Sequence, residues 1–297
     1  MKIRVIVNRS GGTLKGKGDE EPRIVAAFES AGVEADVRMT DSSDIFEALK
    51  EAAAAPGLDA VVGGGGDGTL SCAAGHLAGT GRAFGILPLG TLNHLARDAG
   101  IPAGLEDAAQ VIAAGHVREI DVAEVNGRVF VNNSSAGLYP DMVRLRELEQ
   151  ERLGRSKRLA MLSASITSLR HFRRHRLWIS APGLDAPIRT PLLFVGNNRY
   201  QVNLFGLGKR ERLDEGELCL YAVRAESRLR LLWAGIRGVF GRLDQQRDFI
   251  TAYATEAEIS SDRPVLMLSL DGETQRMETP LRYRIRSKAL RLIVPER

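Results

Sequence analysis

Between positions 63 and 69 the chain reads Gly-Gly-Gly-Gly-Asp-Gly-Thr, five glycines around one carboxylate, directly after the short apolar run Leu58-Asp59-Ala60-Val61-Val62. A turn of this kind belongs where a buried strand hands over to a helix. Glycine tolerates positive φ and has no Cβ to hold a ligand away, so successive N–H groups can converge on anionic oxygens at such a junction. The stretch therefore predicts an α/β sheet with a polyphosphate cradle at the mouth of one strand.

Gly63, Gly65 and Gly68 also satisfy the letter of a dinucleotide fingerprint, but the rest of that fingerprint is missing. An acidic residue about 20 positions on, at the end of the next strand, should hold a ribose hydroxyl. Here the next strand, Ala83-Phe84-Gly85-Ile86-Leu87, runs into Pro88-Leu89-Gly90-Thr91-Leu92-Asn93 without a carboxylate. No Gly-Lys-Ser/Thr follows the loop either, which excludes a Walker-type site.

The first part of the chain alternates strand and helix patterns. Strands are expected at 2–7, 33–39, 59–63 and 83–87, and helices at 21–31, 42–55, 69–79, 91–99 and 105–115. Gly32 closes the first helix, Asp41 or Ser42 caps the second, and Pro56-Gly57 stops it. Such alternation predicts parallel strands with right-handed crossovers, and ligands beyond their carboxyl ends. Those ends carry Asn8 to Gly12, Thr40, Gly64 to Thr69 and Gly90 to Asn93.

After about residue 117 the pattern turns β-rich, in Glu119–Val125, Val129–Asn133, Arg176–Ile179, Pro191–Val195, Glu217–Val223 and Val265–Leu270. A largely antiparallel second domain is expected. The domain reading is 1–118 for the α/β nucleotide-binding part, 119–287 for the β-rich part, and 288–297 for a terminal strand that could return to the first.

With 297 residues and 44% apolar content, the chain can bury one large core or two ordinary ones. Its net charge of +4 favours anionic partners mildly, while 5% aromatic residues leave few rings to stack bases, which argues against nucleic acid. Cys72 and Cys219 lack metal-ligand spacing and read as small buried hydrophobes. His94, His171 and His175 form no zinc pattern. Arg4 interrupts the N-terminal apolar run, so that run reads as a strand rather than a signal core. No apolar stretch approaches the ~20 residues needed to cross a bilayer.

Gly65-Gly66-Asp67-Gly68-Thr69 and Pro88-Leu89-Gly90-Thr91-Leu92-Asn93-His94-Leu95-Ala96-Arg97 resemble, in order and spacing, the two central motifs of the diacylglycerol kinase catalytic-domain family. The resemblance continues through Asn132-Asn133-Ser134-Ser135-Ala136-Gly137, Asp214-Glu215-Gly216-Glu217 and Asp271-Gly272-Glu273. It is closest to the soluble bacterial lipid kinases, relatives of NAD kinase and sphingosine kinase. It implies a Rossmann-like parallel sheet domain plus a C-terminal β-sandwich domain, with ATP between them.

The resemblance further implies Mg²⁺ and ATP-dependent phosphorylation of a hydroxyl on diacylglycerol or a related lipid, in phospholipid metabolism. The lipid would be met by peripheral contact at the inner membrane surface of the cytoplasm. Relatives often pair, so a homodimer is implied as well. The chain departs from the family in three places: Asn8-Arg9 replaces Asn-Pro, Ser71-Cys72 replaces Asn-Glu, and Asp214-Glu215-Gly216 replaces Asp-Asp-Gly or Asn-Asp-Gly. These departures keep a catalytically inactive nucleotide sensor as an alternative, beside an NAD kinase-like phosphotransferase.

Phosphoryl transfer needs positioning, charge neutralisation and a base near the attacking hydroxyl. On this reading Gly64, Gly65, Gly66 and Gly68 hold phosphates. Asn8, Ser10, Gly11 and Gly12 line the nucleotide, Thr40, Thr69 and Thr91 add hydroxyls, and Asn93 adds an amide. Asp67 beside a triphosphate implies an intervening metal, a bound water or a loop N–H, or else a plain helix cap. The base is expected in Asp271 or Glu273, where a hairpin turn explains the same residues equally well. Glu215, with backbone carbonyls near Arg212 and Glu217, resembles the family's structural Mg²⁺ site. The basic stretch Arg144 to Arg176 reads either as an amphipathic face for anionic headgroups or as a solvated helix.

Overall fold

The strand-helix alternation of the first 118 residues folds as a parallel sheet, because its inner strands are apolar on both faces and its helices on one. In the computed structural model, which describes residues 1–9, 20–137, 175–182, 184–200, 210–224 and 249–296, the elements run β1 (Lys2–Asn8), α1 (Glu20–Ser30), β2 (Glu34–Thr40), α2 (Ile45–Ala54), β3 (Ala60–Gly65), α3 (Asp67–Leu77), β4 (Ala83–Pro88), α4 (His94–Asp98) and α5 (Leu105–Ala114). Val5, Ile6 and Val7, and Ala60 to Val62, are buried on both faces, as a sheet covered by helices on both sides requires. In α5 the buried residues Leu105, Ala108, Ala109 and Ile112 recur at helical spacing along one face.

The strands after α5 are β5 (Val117–Val125), β6 (Arg128–Phe130), β7 (Asn133–Gly137), β8 (His175–Ala181), β9 (Leu184–Thr190), β10 (Leu192–Asn197), β11 (Leu218–Val223), β12 (Phe249–Ala254), β13 (Glu256–Ser261), β14 (Val265–Leu270), β15 (Glu273–Glu278) and β16 (Leu281–Ile293). They form two sheets. One follows the order β2-β1-β3-β4-β16-β13-β8-β9, with β5 pairing β16 and β6; the other is the antiparallel β12-β11-β10-β7-β14-β15. Alternate residues of both sheets interdigitate in one core, with Leu177, Ile179, Ile259 and Leu281 meeting Leu193, Val195, Leu220 and Leu268. The expected sandwich is therefore present beside the expected parallel sheet.

β16 joins the two cores. Its first half pairs antiparallel with β13, while Arg291 and Leu292 pair parallel with Ala83 and Phe84 of β4. The register shifts between Arg286 and Leu290, and Lys288 adopts φ 51° there. Beyond that bulge Leu290, Leu292 and Ile293 pack into the core of the parallel sheet. Asp121, fully buried in β5, holds the bulge: its Oδ1 accepts the Lys288 N–H (2.8 Å) and its Oδ2 the Gly216 N–H (2.7 Å).

Several local readings need revision. Helix 42–55 starts at Ile45, with Asp44 at its N-cap, and the Asp41 carbonyl rather than a side chain accepts the Asp44 and Ile45 N–H groups. The expected helix 91–99 shrinks to five residues, because Asn93 turns left-handed at φ 48° just before it. The expected strand Val129–Asn133 divides into β6 and β7 around Val131 and Asn132. The basic stretch 144–174, with His171, lies outside the described residues, and Arg176 sits in β8. Among the described residues no helix is long and apolar enough to cross a membrane.

Candidate active site

Register alone lines up the carboxyl ends of the four parallel strands. Asn8 pairs with Thr40, Val7 with Gly64, and Gly65 with Pro88. Asn8, Thr40 and the two glycine-bearing turns thereby share one edge, as the sequence predicts. Asn8 Nδ2 donates to Thr69 Oγ1 (3.2 Å), and its Oδ1 accepts from Ser42 Oγ (3.1 Å), which ties the end of β1 to the first turn of α3. The Thr40 carbonyl accepts the Arg9 N–H (2.9 Å). Ser10, Gly11 and Gly12 lie outside the described residues.

The glycines are needed for a reason other than the one the sequence suggests first. None of Gly63 to Gly66, nor Gly68, has positive φ. Gly64 and Gly65 lack room for a Cβ. At Gly64 a Cβ would lie 2.9 Å from Val7 Cγ2, and at Gly65 2.6 Å from Thr69 Oγ1. A Cβ at Gly90 would strike Gly66 Cα, so the β3–α3 and β4–α4 turns touch backbone to backbone. The Leu89 N–H also donates to the Gly65 carbonyl (3.1 Å). Asn93 is used up inside its own turn: Oδ1 accepts the Gly90 N–H (3.0 Å), and Nδ2 donates to the Pro88 (3.0 Å) and Gly90 (2.9 Å) carbonyls. Thr91 and Leu92 are exposed at its tip.

Gly66 is the N-cap of α3, and no side chain caps that helix. Asp67, its first residue, reaches across instead and accepts the His94 N–H at the start of α4 (2.7 Å). This is the loop N–H among the partners open to it from sequence. The first-turn amides of α3 receive no side-chain cap and carry the partial positive charge of a helix N-terminus, which favours an anion.

Asp271 and Glu273, equivalent candidates in the sequence, take different places. The Asp271 carboxylate is buried under the β14–β15 turn and accepts four donors: the N–H groups of Val131, Asn132 and Asn133, each at 2.8 Å, and the Ser71 hydroxyl. Asp271 N–H in turn donates to the Asn133 carbonyl (2.9 Å). A carboxylate offers about four lone-pair sites, so the ionised group has them engaged within the turn. Glu273 follows after Gly272 (φ 93°) and lays its carboxylate directly against the backbone of Gly68. Burial and that carboxylate together push the neighbouring Cys72 thiol up to about 11, so it stays neutral beside the acid.

Burial raises the Asp271 carboxyl above its ordinary value, and the Ser71 and backbone donors offset part of the rise. The folded protein therefore takes up this proton at a pH where the unfolded chain releases it. That contribution to stability is complete below the unfolded value of 3.8 and is lost as pH rises through the raised folded value. Asp271→Ala orphans three backbone N–H groups, at about 1–3 kcal/mol each when buried, for a loss on the order of 3–9 kcal/mol. Urea unfolding of both proteins between pH 3.5 and 8 should show the wild-type advantage largest at the acid end.

The turn at 212–217 is held against Asn198 and Arg199. Glu215 Oε2 accepts the Arg199 N–H (2.8 Å), Glu215 N–H donates to Asn198 Oδ1 (3.1 Å), and the Glu217 carbonyl accepts the Asn198 N–H (3.0 Å). The Glu217 carboxylate pairs with Arg199 Nε, and Arg212 Nε bonds Asp214 (3.1 Å). Among the described residues no three His, Cys, Asp or Glu side chains converge as a metal cluster. The oxygens offered by Arg212, Glu215 and Glu217 are hard enough for Mg²⁺, and Glu215 Oε2 and the Glu217 carbonyl each already accept one backbone N–H.

Sequence reading missed Arg210, whose side chain is fully buried. It bonds Asp98 Oδ2 through Nε (2.8 Å), Val131 O through Nη1 (2.5 Å) and Asn132 Oδ1 through Nη2 (2.9 Å), so it pins the end of α4 to the segment Asp271 grips. Asp121 was missed too, although a lone aspartate inside the apolar run Ile120–Ala123 was a usable signal.

Residues 2–125 match the family model for the diacylglycerol kinase catalytic domain. Over 212 residues, 69% of this chain and 68% of the relative, the sequence is 37% identical to "Probable lipid kinase YegS-like" of Pseudomonas aeruginosa PAO1. A relative of the same name from Citrobacter koseri is 37% identical over 132 residues, 42% of this chain and 44% of its own. A crystal structure of a diacylglycerol kinase from Bacillus anthracis str. Sterne superposes with a TM-score of 0.71 at 20% identity, covering 99% of this chain and 97% of the other, which shows a shared fold. Motif order, site geometry and two-thirds coverage at this identity agree that the chain belongs to the lipid kinase family marked by the diacylglycerol kinase catalytic domain.

Proposed function

We propose that this protein transfers the γ-phosphate of ATP to a hydroxyl of diacylglycerol or a related lipid, with Glu273 as the base. The observation that carries this reading is the contact between the Glu273 carboxylate and Gly68, one residue past Asp67 in the uncapped first turn of α3. A proton acceptor and a phosphate-binding turn then share one spot, which is what this chemistry asks of a protein.

In the proposed step the lipid hydroxyl oxygen bonds to the γ-phosphorus while the bond to the β,γ-bridging oxygen breaks. The hydroxyl proton passes to Glu273, and ADP leaves. The α3 amides hold the phosphates in line. Asp67 keeps the β4–α4 turn beside them through the His94 N–H, and Asp271 anchors the turn that carries Glu273. Mg²⁺ accompanies ATP as its counter-ion. Residues 1–118 would serve the nucleotide and 119–287 the lipid, met by peripheral contact at a membrane surface.

Purified protein incubated with γ-labelled ATP, Mg²⁺ and a membrane lipid extract is expected to yield a labelled lipid that extracts into organic solvent. Asp67→Asn, which keeps Oδ1 as an acceptor for His94 but loses the charge, should fold normally and lose most of that labelling. An unlabelled extract, with a control lipid kinase active in parallel, would sink the proposal.

A further inference from the structure

Asp271 does more than fill a turn, because one of its four donors comes from a different part of the fold. Val131, Asn132 and Asn133 belong to the β6–β7 segment, whereas Ser71 lies on α3, one helical turn after the amides offered to phosphate. The Ser71 hydroxyl thus links the phosphate-binding helix directly to the turn that presents Glu273. The joint between Asp271 and Glu273 is Gly272, where a Cβ would meet nothing within 4 Å. Across the hairpin Glu273 pairs with Leu270, which sets its backbone, while the Asp271 side chain carries the link of this turn to α3.

We propose that Ser71 is a positioning residue for phosphoryl transfer: through Asp271 it holds the Glu273 carboxylate in register with the first turn of α3. The role rests on the assignment of Glu273 as base.

The mechanical argument separates this link from general stability. With Ser71 truncated, Asp271 keeps its three backbone donors, so the turn remains anchored to β6 and β7. What is lost is the tie to α3, and a base misplaced by about 1 Å can slow transfer on the order of 10²-fold. The amides that hold phosphate are untouched.

Ser71→Ala is therefore expected to lower kcat about 10- to 100-fold while the KM for ATP and the Kd for ADP stay within about twofold. Ser71→Thr, which restores a hydroxyl at the same Cβ, should recover most of the loss. Unchanged kcat in Ser71→Ala, an equal loss in both variants, or a fall in ADP affinity matching the fall in kcat would overturn the role. Hydrogen exchange in ADP-bound protein provides a readout independent of lipid turnover. The amides of 271–273 should exchange faster in Ser71→Ala than in wild type, and identical rates would overturn the link itself. A wild-type protein that labels no lipid would instead overturn the base assignment, and the catalytic role of Ser71 with it, leaving exchange to report on the link alone.

Discussion

Glu273→Gln is expected to give a folded protein that binds ADP like wild type and transfers phosphate on the order of 10³-fold more slowly, within the span typical of general base catalysis. Glutamine keeps the length and shape of the side chain that rests against Gly68, so packing at the turn is preserved. It cannot accept the acceptor proton. Steady-state kcat with a lipid acceptor, ADP titration calorimetry and a melting curve together separate the effects. Activity within threefold of wild type would remove Glu273 from the mechanism.

The contrast with Asp271 sharpens this expectation. Two acids two positions apart look interchangeable in a sequence, yet one accepts four donors under the turn and the other rests against Gly68 in the first turn of α3. Loss of Asp271 should therefore appear first in the unfolding curve, and loss of Glu273 first in kcat.

Gly90→Ala is expected to damage both stability and nucleotide binding. Its methyl would be driven into Gly66 Cα and would lie 2.5 Å from Asn93 Oδ1, and the first of these is backbone that cannot swing aside. Separating the two turns strains the Asn93 bonds and the Leu89–Gly65 bond as well as the start of α3. Overpacking of this kind costs about 1–3 kcal/mol. Because the phosphate-binding amides belong to one of the displaced turns, ADP affinity should fall at least about tenfold, a loss of about 1.4 kcal/mol. Gly75→Ala in α3 is the control: its nearest neighbour would be Val129 Cβ at 3.9 Å, an ordinary contact. There helix propensity predicts neutrality or a gain of up to about 1 kcal/mol. Equal ADP binding by Gly90→Ala and wild type would show that the turn contact does not shape the site.

Much of the architecture was legible because it rests on local periodicity. Strands buried on both faces and helices with one apolar face leave distinct patterns, and β1, β3, β4 and α5 were readable to within a few residues. Elements whose form depends on distant partners were not. The five-residue α4 owes its brevity to Asn93 folding back on Gly90, and the 13-residue β16 is continuous only because Asp121, far away in sequence, holds its bulge at Lys288. Periodicity does not encode such bonds.

The same division runs through the site. Residue order alone determined that a glycine-rich turn with one carboxylate ends a buried strand, that a second polar turn ends the next, and that two acids flank a glycine after a late apolar strand; these are facts of chemistry and spacing along a line. Tertiary structure decided which groups those residues spend their hydrogen bonds on. It turned Asp67 toward His94, closed Asn93 on its own turn, set Gly66 against Gly90, and placed Asp271 among donors from α3 and the β6–β7 segment while leaving Glu273 beside Gly68. The physical reason is that a carboxylate's role follows from the donors and charges around it, and those arrive from parts of the chain up to 200 residues away.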